Sequence, residues 1–533
     1  MNVFDNALIF NPADCSWTLQ AFAVENGRIT VISDAGSLTG DAVINLERKR
    51  VVPGLIDTHV HVESSLLTPK EFGRLILSHG VTTAVCDPHE IANVAGCEGI
   101  DFMLKDAEKS PADLFFMVPS CVPATPTEVG GAVLHAADLE KYQNNPKVLG
   151  LGEMMNVPGV LADDPEVLEK LALFSRIDGH SPGLTGNDLC CYIAHGIKTD
   201  HECTTAEEAR EKIRLGMYVL LREGDAAKNT ASLTSAVTKE TMARCAFATD
   251  DRHADSLEKE GSIDNCIRIA LAAGMPLEIA LRLATLSAAE CMGLSDRGII
   301  APGKIADFCI LDDGCEFKVK DVYKAGVHST DIIADKNTPE AAMPACITPV
   351  LTADDLELPD GNLKVIKVTP GSLITDTAVM TKDDDGVNII ACIDRYRGDR
   401  FSVCAVHGLN IRKGAIASSI SHDAHHIIAA GASKTDLLNA IEAVKKGNGG
   451  MAVSVDDRVT LLPLPVGGLM TDEPYETVCR KLDSLTAAAK ETKGIDHLYM
   501  QLSFLGLTVI PHLKITPRGL FDGDAFCDTE MRV

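Results

Sequence analysis

The sequence predicts an α/β protein built on a (β/α)8 barrel of the TIM type, flanked by a small composite β domain and a C-terminal α+β domain. Three observations predict it. Short apolar runs alternate with segments of helical period through residues 51–297, the pattern of a parallel sheet covered by helices. Eight such runs occupy that stretch, and about 250 residues is the usual size of such a barrel. Nearly every run closes on a polar or ionisable residue, as strands do where a site forms at their C-terminal ends.

The strand candidates are Val51–His61, Val81–Asp87, Leu114–Val118, Val148–Glu153, Ser175–His180, Gly196–His201, Met217–Arg222 and Cys245–Asp250. A doubly wound open sheet is the alternative, but no Gly-rich dinucleotide fingerprint follows the first strand. Upstream, residues 1–50 alternate apolar and polar with turn residues between, as in Phe22–Ile32, and read as a small antiparallel sheet. The same texture returns at Gly298–Leu311, so residues 1–50 and 298–350 are expected to pair into one β domain. Residues 351–533 change character again, with Gly-rich turns, strands such as Phe401–Val406 and Ile416–Ile420, and helices at Lys434–Lys446 and Tyr475–Lys490.

Composition narrows the function. At 533 residues the chain exceeds what one core fills, and 46% hydrophobic with 23% charged residues is the balance of a folded protein. The net charge of −27, from 76 acidic against 49 basic residues, would repel a phosphate backbone. A small neutral or cationic ligand suits it and nucleic acid does not, although acidity also serves plain solubility. Seventeen cysteines without a C-x-x-C pair fit reduced thiols in a cytoplasm. The opening Met1–Asn6 has no basic n-region, and no run of about 18 apolar residues follows. Neither export nor a membrane span is expected, and a homodimer is the default assembly.

The first barrel strand ends His59-Val60-His61-Val62-Glu63. Residues two apart on a strand face the same way, so His59 and His61 would both point into the barrel mouth and chelate a divalent transition metal. Alone, such a pair is more often two ordinary polar positions. Its company changes that: Glu153, His180, His201 and Asp250 close the fourth, fifth, sixth and eighth strands. Without a cation these groups would be buried unpaired, at about 1–3 kcal/mol each. A two-metal site about 3.5–4 Å across, bridged by Glu153, would accept all six.

The run Val52-Pro53-Gly54-Leu55-Ile56-Asp57-Thr58-His59-Val60-His61, with Gly303-Lys304-Ile305-Ala306-Asp307 further on, resembles the amidohydrolase superfamily. More narrowly, His61–Ser65, Asp87–Asn93, Gly152–Asn156, Asp178–Pro182 and Thr249–His253 resemble bacterial and archaeal adenine deaminases. The commoner superfamily arrangement bridges its metals with a carboxylated lysine; Glu153 stands there instead, which argues against a dihydroorotase or hydantoinase. The other deaminase class, H-x-E with P-C-x-x-C around zinc, is excluded because no P-C-x-x-C occurs. The resemblance implies Fe(II) or Mn(II), and Zn(II) suits the same ligands.

On that resemblance the metal pair would bring the pKa of a bridging water from about 15.7 toward 7. The hydroxide would add to C6 of adenine while Asp250 carries its proton to the departing ammonia. Adenine N1 or N3 then needs an acid, and Glu90, kept protonated by an apolar wall, is the candidate. Asp87 and Glu90 could instead merely satisfy N–H groups at a helix start. Arg222 and Glu223 could contact the base or form a rim ion pair. Asp250 is preferred over Asp251 as the ligand, since adjacent strand residues face opposite ways. The segment His422-Asp423-Ala424-His425 is either a polar turn, a lid over the mouth, or a further metal site. Another purine or cyclic-amide hydrolase on the same ligands is the alternative enzyme, and a catalytically silent scaffold the alternative class.

Overall fold

A computed structural model describes every residue except 126–127, 313, 315, 333–342, 345, 371 and 373. Alternation builds the N-terminal sheet as expected: β1 (Asn2–Asn11), β2 (Ser16–Glu25) and β3 (Arg28–Asp34) are antiparallel neighbours. Asn26 and Gly27 between the last two carry φ of 51° and 75°, the paired positive values a tight I′ hairpin requires. The sheet is mixed, however, not wholly antiparallel. β4 (Ala42–Asn45) and β5 (Arg50–Pro53) run parallel to β1, one after the other along it, against Asn2–Asp5 and Leu8–Ile9; the connection after β3 carries the chain back once, before β4.

The returning strand Phe308–Leu311 pairs antiparallel with β5 and brings Val319–Lys324 and Val327–His328 into the same sheet. Packing fixes the union. Phe4 stacks on Phe22 at 5.1 Å and Phe308 on Tyr323 at 4.6 Å, with edge contacts between the pairs, each geometry worth about 0.5–1.5 kcal/mol beyond its buried area.

Gly54 divides the first predicted barrel strand. Its N–H donates to Asp307 O at 2.9 Å, and a Cβ there would lie 2.2 Å from Thr82 Oγ1. β5 therefore ends in the N-terminal sheet and β6 (Leu55–Val60) begins another. With β7 (Val81–Cys86), β8 (Asp113–Val118), β9 (Val148–Met154) and β10 (Ile177–Gly179) it forms a five-stranded parallel sheet curled into half a barrel. β11 (Thr199–Asp200), β12 (Tyr218–Arg222) and β13 (Cys245–Ala248) form a second parallel sheet. Single bridges join the edges, Ile177 to Ile197 and Val60 to Asp250. Strands buried on both faces, such as β7, lose the polar–apolar alternation of half-buried strands, and β7 buries Thr82 and Thr83 among its apolar residues.

The C-terminal part contains an eight-stranded sheet that includes Phe401–His407, Ala415–Ser418 and Ile427–Gly431, with the helices Lys434–Lys446 and Tyr475–Lys490 at their predicted bounds. It docks on the side where the β6–β13 strands end. Thr471 N donates to Leu66 O at 2.9 Å, and Thr508 Oγ1 to Glu128 Oε1 at 2.7 Å. The turn between Ser418 and Ile427 consequently lies over those strand ends. No helix among the described residues is long and apolar enough to cross a membrane.

Candidate metal centre

All six predicted ligands converge. β6 holds His59, and His61 follows at its end on the same face; Glu153 lies in β9, while His180, His201 and Asp250 follow β10, β11 and β13. All are buried but His180, which is half-buried. His59 Nε2 and His61 Nε2 lie 3.2 Å apart. His61 Nε2 is 3.1 Å from Asp250 Oδ1 and 3.3 Å from Glu153 Oε1. The other oxygen of Glu153 is 2.7 Å from His180 Nδ1 and 3.2 Å from His201 Nε2.

Within the triads His59–His61–Asp250 and Glu153–His180–His201, the donor atoms lie within 4.8 Å of one another, with Glu153 reaching both. Two imidazole nitrogens facing each other at this range repel unless a proton or cation lies between them. Without a metal, protons take that place. Burial opposes charge on His59, but the Asp178 carboxylate, 2.8 Å from its Nδ1, lifts it to about 9. His180 likewise rises to about 9 against burial, through Glu202 and Glu153. Glu153 and Asp250 are held well below the ordinary carboxylate range despite burial, by His180 and by Arg222 respectively. Soft-to-borderline nitrogen donors and ionised carboxylates in one pocket fit a pair of divalent cations.

Asp250, not Asp251, faces the histidines. Its φ of 58° and the bond from its N–H to His59 O at 3.0 Å turn it inward, a strained conformation of the kind stored at functional sites. Asp251 accepts from Ser64 Oγ at 2.5 Å instead. Arg222 takes the rim ion-pair role: its guanidinium clamps Glu202 and donates to Asp250 Oδ2 at 2.7 Å. Glu223 is not brought into the cluster, and its carboxylate accepts from Thr230 N at 3.3 Å.

A second cluster lies alongside. Glu90 Oε1 is 2.7 Å from His422 Nδ1, Glu90 Oε2 bonds His425 Nε2, and His89 Nε2 is 3.4 Å from Glu90 Oε1. The apolar wall expected around Glu90 is therefore absent, and three imidazoles surround it. Burial alone would raise its pKa, but His422, His425 and His89 hold it well below the usual range, so the side chain is a carboxylate and not a carboxylic acid. His422 itself, against burial, is lifted to about 9 by Glu90.

Family profiles match this layout: the amidohydrolase family over residues 50–328 and the adenine deaminase C-terminal domain over 368–527. An adenine deaminase of Methanoregula boonei is 47% identical over 536 residues, covering 99% of this chain and 95% of its own. That of Methanoculleus marisnigri is 46% identical, covering 96% and 99%, and that of Bacillus licheniformis 39%, covering 98% and 95%. The chain belongs to the adenine deaminase family of amidohydrolases.

Several residues of this family member's site carry no role in the sequence reading. Asp178 stands two before His180, so the spacing argument that found His59 and His61 applies to it equally. His89 lies between clusters, its Nδ1 3.4 Å from Glu153 Oε1, and Glu202 approaches His180 and His201 at 3.6 and 3.4 Å. Neither had a periodicity to reveal it. Asp87 acts through the backbone: Glu153 N donates to its Oδ2 at 2.8 Å and His89 N to its Oδ1 at 3.2 Å. Gly152 is what lets it approach, since a Cβ there would sit 2.2 Å from that Oδ2.

Proposed function

We propose that this chain hydrolyses adenine to hypoxanthine and ammonia, in purine salvage or adenine breakdown. The observation that carries the reading is the convergence of the six strand-end side chains in two triads joined by Glu153, whose one oxygen meets His61 and whose other meets His180 and His201. His59, His61, Glu153, His180, His201 and Asp250 would hold two divalent cations, Mn(II) or Fe(II) in preference to Zn(II). Such a pair supplies Lewis acidity that brings the pKa of water from about 15.7 toward 7.

The chain's own residues do the rest. Asp250, kept ionised by Arg222 at Oδ2, turns Oδ1 toward His59 and His61, where it would take the nucleophile's proton and return it to the leaving nitrogen. Asp87 fixes Glu153 and His89 by their backbone N–H groups. Glu90 does not donate as an acid; it keeps His89 and His422 charged, and an imidazolium of that cluster serves the ring nitrogen that gains electron density when C6 is attacked. His422, Asp423 and His425 close the mouth as a lid.

The two parallel sheets are read as one (β/α)8 barrel closed at the Ile177–Ile197 and Val60–Asp250 bridges. Three domains follow: 1–53 with 298–350, the boundary moved from 50 to Gly54 because β5 pairs with β1, then the barrel to 297, then 351–533. A cytoplasmic homodimer acting on a free base, with no nucleic-acid or membrane partner, completes the reading.

The test is ammonia release from adenine by protein reconstituted with Mn(II), with a His59→Ala, His61→Ala double variant as control. Guanine, cytosine and dihydroorotate run alongside. Turnover of another ring with adenine inert would remove the substrate and leave the centre standing; under one equivalent of bound metal would remove both.

A further inference from the structure

We propose that adenine enters, and product leaves, through a groove between the loop after β13 and the C-terminal helices, past a gate made by Met451, Tyr499 and Met500. The proposal rests on adenine being the substrate. The groove has a volume of about 320 Å³ and is walled by Asp225, His253 and Ser256 on one side and Leu482, Leu485 and Ala489 on the other. A smaller space of about 20 Å³ adjoins it, reaching Ser64 and His422. Both spaces are lined by His253, Met451, Tyr499 and Met500, so these four side chains form the partition between them.

This smaller space ends beside the candidate centre, on residues that bond to its neighbours. Ser64 Oγ donates to Asp251, next to the ligand Asp250, and His422 holds Glu90. A space of that size has room for about one water, so a purine passes only when the partition moves. Two of its members are methionines, whose unbranched thioethers re-pack readily.

Tyr499 adds a reason to read the neck as a route for a polar ring. Its hydroxyl is buried, 9% of the residue being exposed, and has no hydrogen-bond partner among the described residues. Buried hydroxyls are ordinarily satisfied, and when the partition moves this one would come within reach of a base carrying both N–H groups and ring nitrogens. The gate is also joined to the catalytic side. Tyr499 and Met500 lie on the helix Leu498–Ser503, and Ser503 O accepts from His422 N at 3.0 Å. A shift of that helix is therefore felt at the imidazole bound to Glu90.

The experiment uses the full chain loaded with Mn(II) and reads two rates: adenine turnover, and removal of the bound metal by 1,10-phenanthroline. Met500→Trp should lower kcat/KM by about tenfold or more and slow metal removal similarly, with metal content unchanged. Thr486→Trp, on the exposed outer wall where folding is not at risk, should give about a threefold effect in the same direction. Tyr499→Phe should raise KM with kcat kept. Both tryptophan variants matching wild type within about twofold in both rates would overturn the route. Wild-type protein inert toward adenine would instead remove the substrate assignment, and the metal-removal rates would still decide the route.

Discussion

His59 and His61 reach their cluster from one strand, two residues apart, whereas His422 and His425 reach Glu90 across 332 and 335 residues of sequence. The first cluster is held by strand register. Sliding β6 by one residue would turn both histidines away, and its neighbours on both sides prevent that. The second is held by a docked turn: Arg395 bonds His425 O and donates to Gly467 O at 2.8 Å, and Tyr396 OH donates to Ala424 O at 2.7 Å. The candidate metal cluster is therefore built by the parallel strands alone, while the cluster around Glu90 is completed only where the C-terminal part is seated.

The largest effect should come where the barrel cluster meets the reaction. Asp250→Asn leaves Arg222 in place but removes the base, and kcat should fall about 10²–10⁴-fold. A fall of under about tenfold would move the proton transfer to another group.

Next comes the response of that cluster to pH. Metal-free His59 and His180, each at about 9, are protonated at pH 7. Metal binding must displace those protons. Affinity should therefore rise with pH up to about 9, by about tenfold per unit for each proton displaced, and flatten above it. Titration calorimetry in buffers of different ionisation enthalpy reads the released protons. No release between pH 6 and about 8 would mean that the imidazoles are neutral before the metal arrives.

A smaller loss follows one layer behind. Asp178→Asn weakens the hold on His59 Nδ1, and metal affinity should drop about 10–100-fold. Full loss of metal would place Asp178 among the ligands, a role its distance to the His59–His201 stack also permits.

What the sequence reveals divides along the same line. The convergence of the six strand-end side chains follows from a period of two and from apolar runs, but the inward turn of Asp250 rests on its φ of 58° beyond the end of β13, which alternation does not foresee. The composite sheet is legible in the texture of its two halves, but the parallel course of β4 and β5 is not, since alternation carries no direction. Gly54 is hidden because a run that changes sheets stays apolar throughout. Glu90 is legible as chemistry and misread as to state. Its ionisation depends on His422 and His425, and nothing local to Asp87–Asn93 says that a turn more than three hundred residues away will cover it.

The smallest effect separates the two clusters most sharply. Changing His422 and His425 together to Gln keeps polar side chains over Glu90 but removes the imidazoles that hold its charge. Two metal equivalents should remain bound, because no barrel ligand is touched, while kcat/KM for adenine falls about tenfold. Glu90 is expected to become easier to protonate, since burial is then opposed by His89 without its two partners. The sign follows: a carboxylate whose pKa is depressed in the intact protein loses that depression, so the acid limb of the rate profile should move toward neutral pH. Loss of metal in this variant would instead make the C-terminal turn part of the centre itself, and the two regions one.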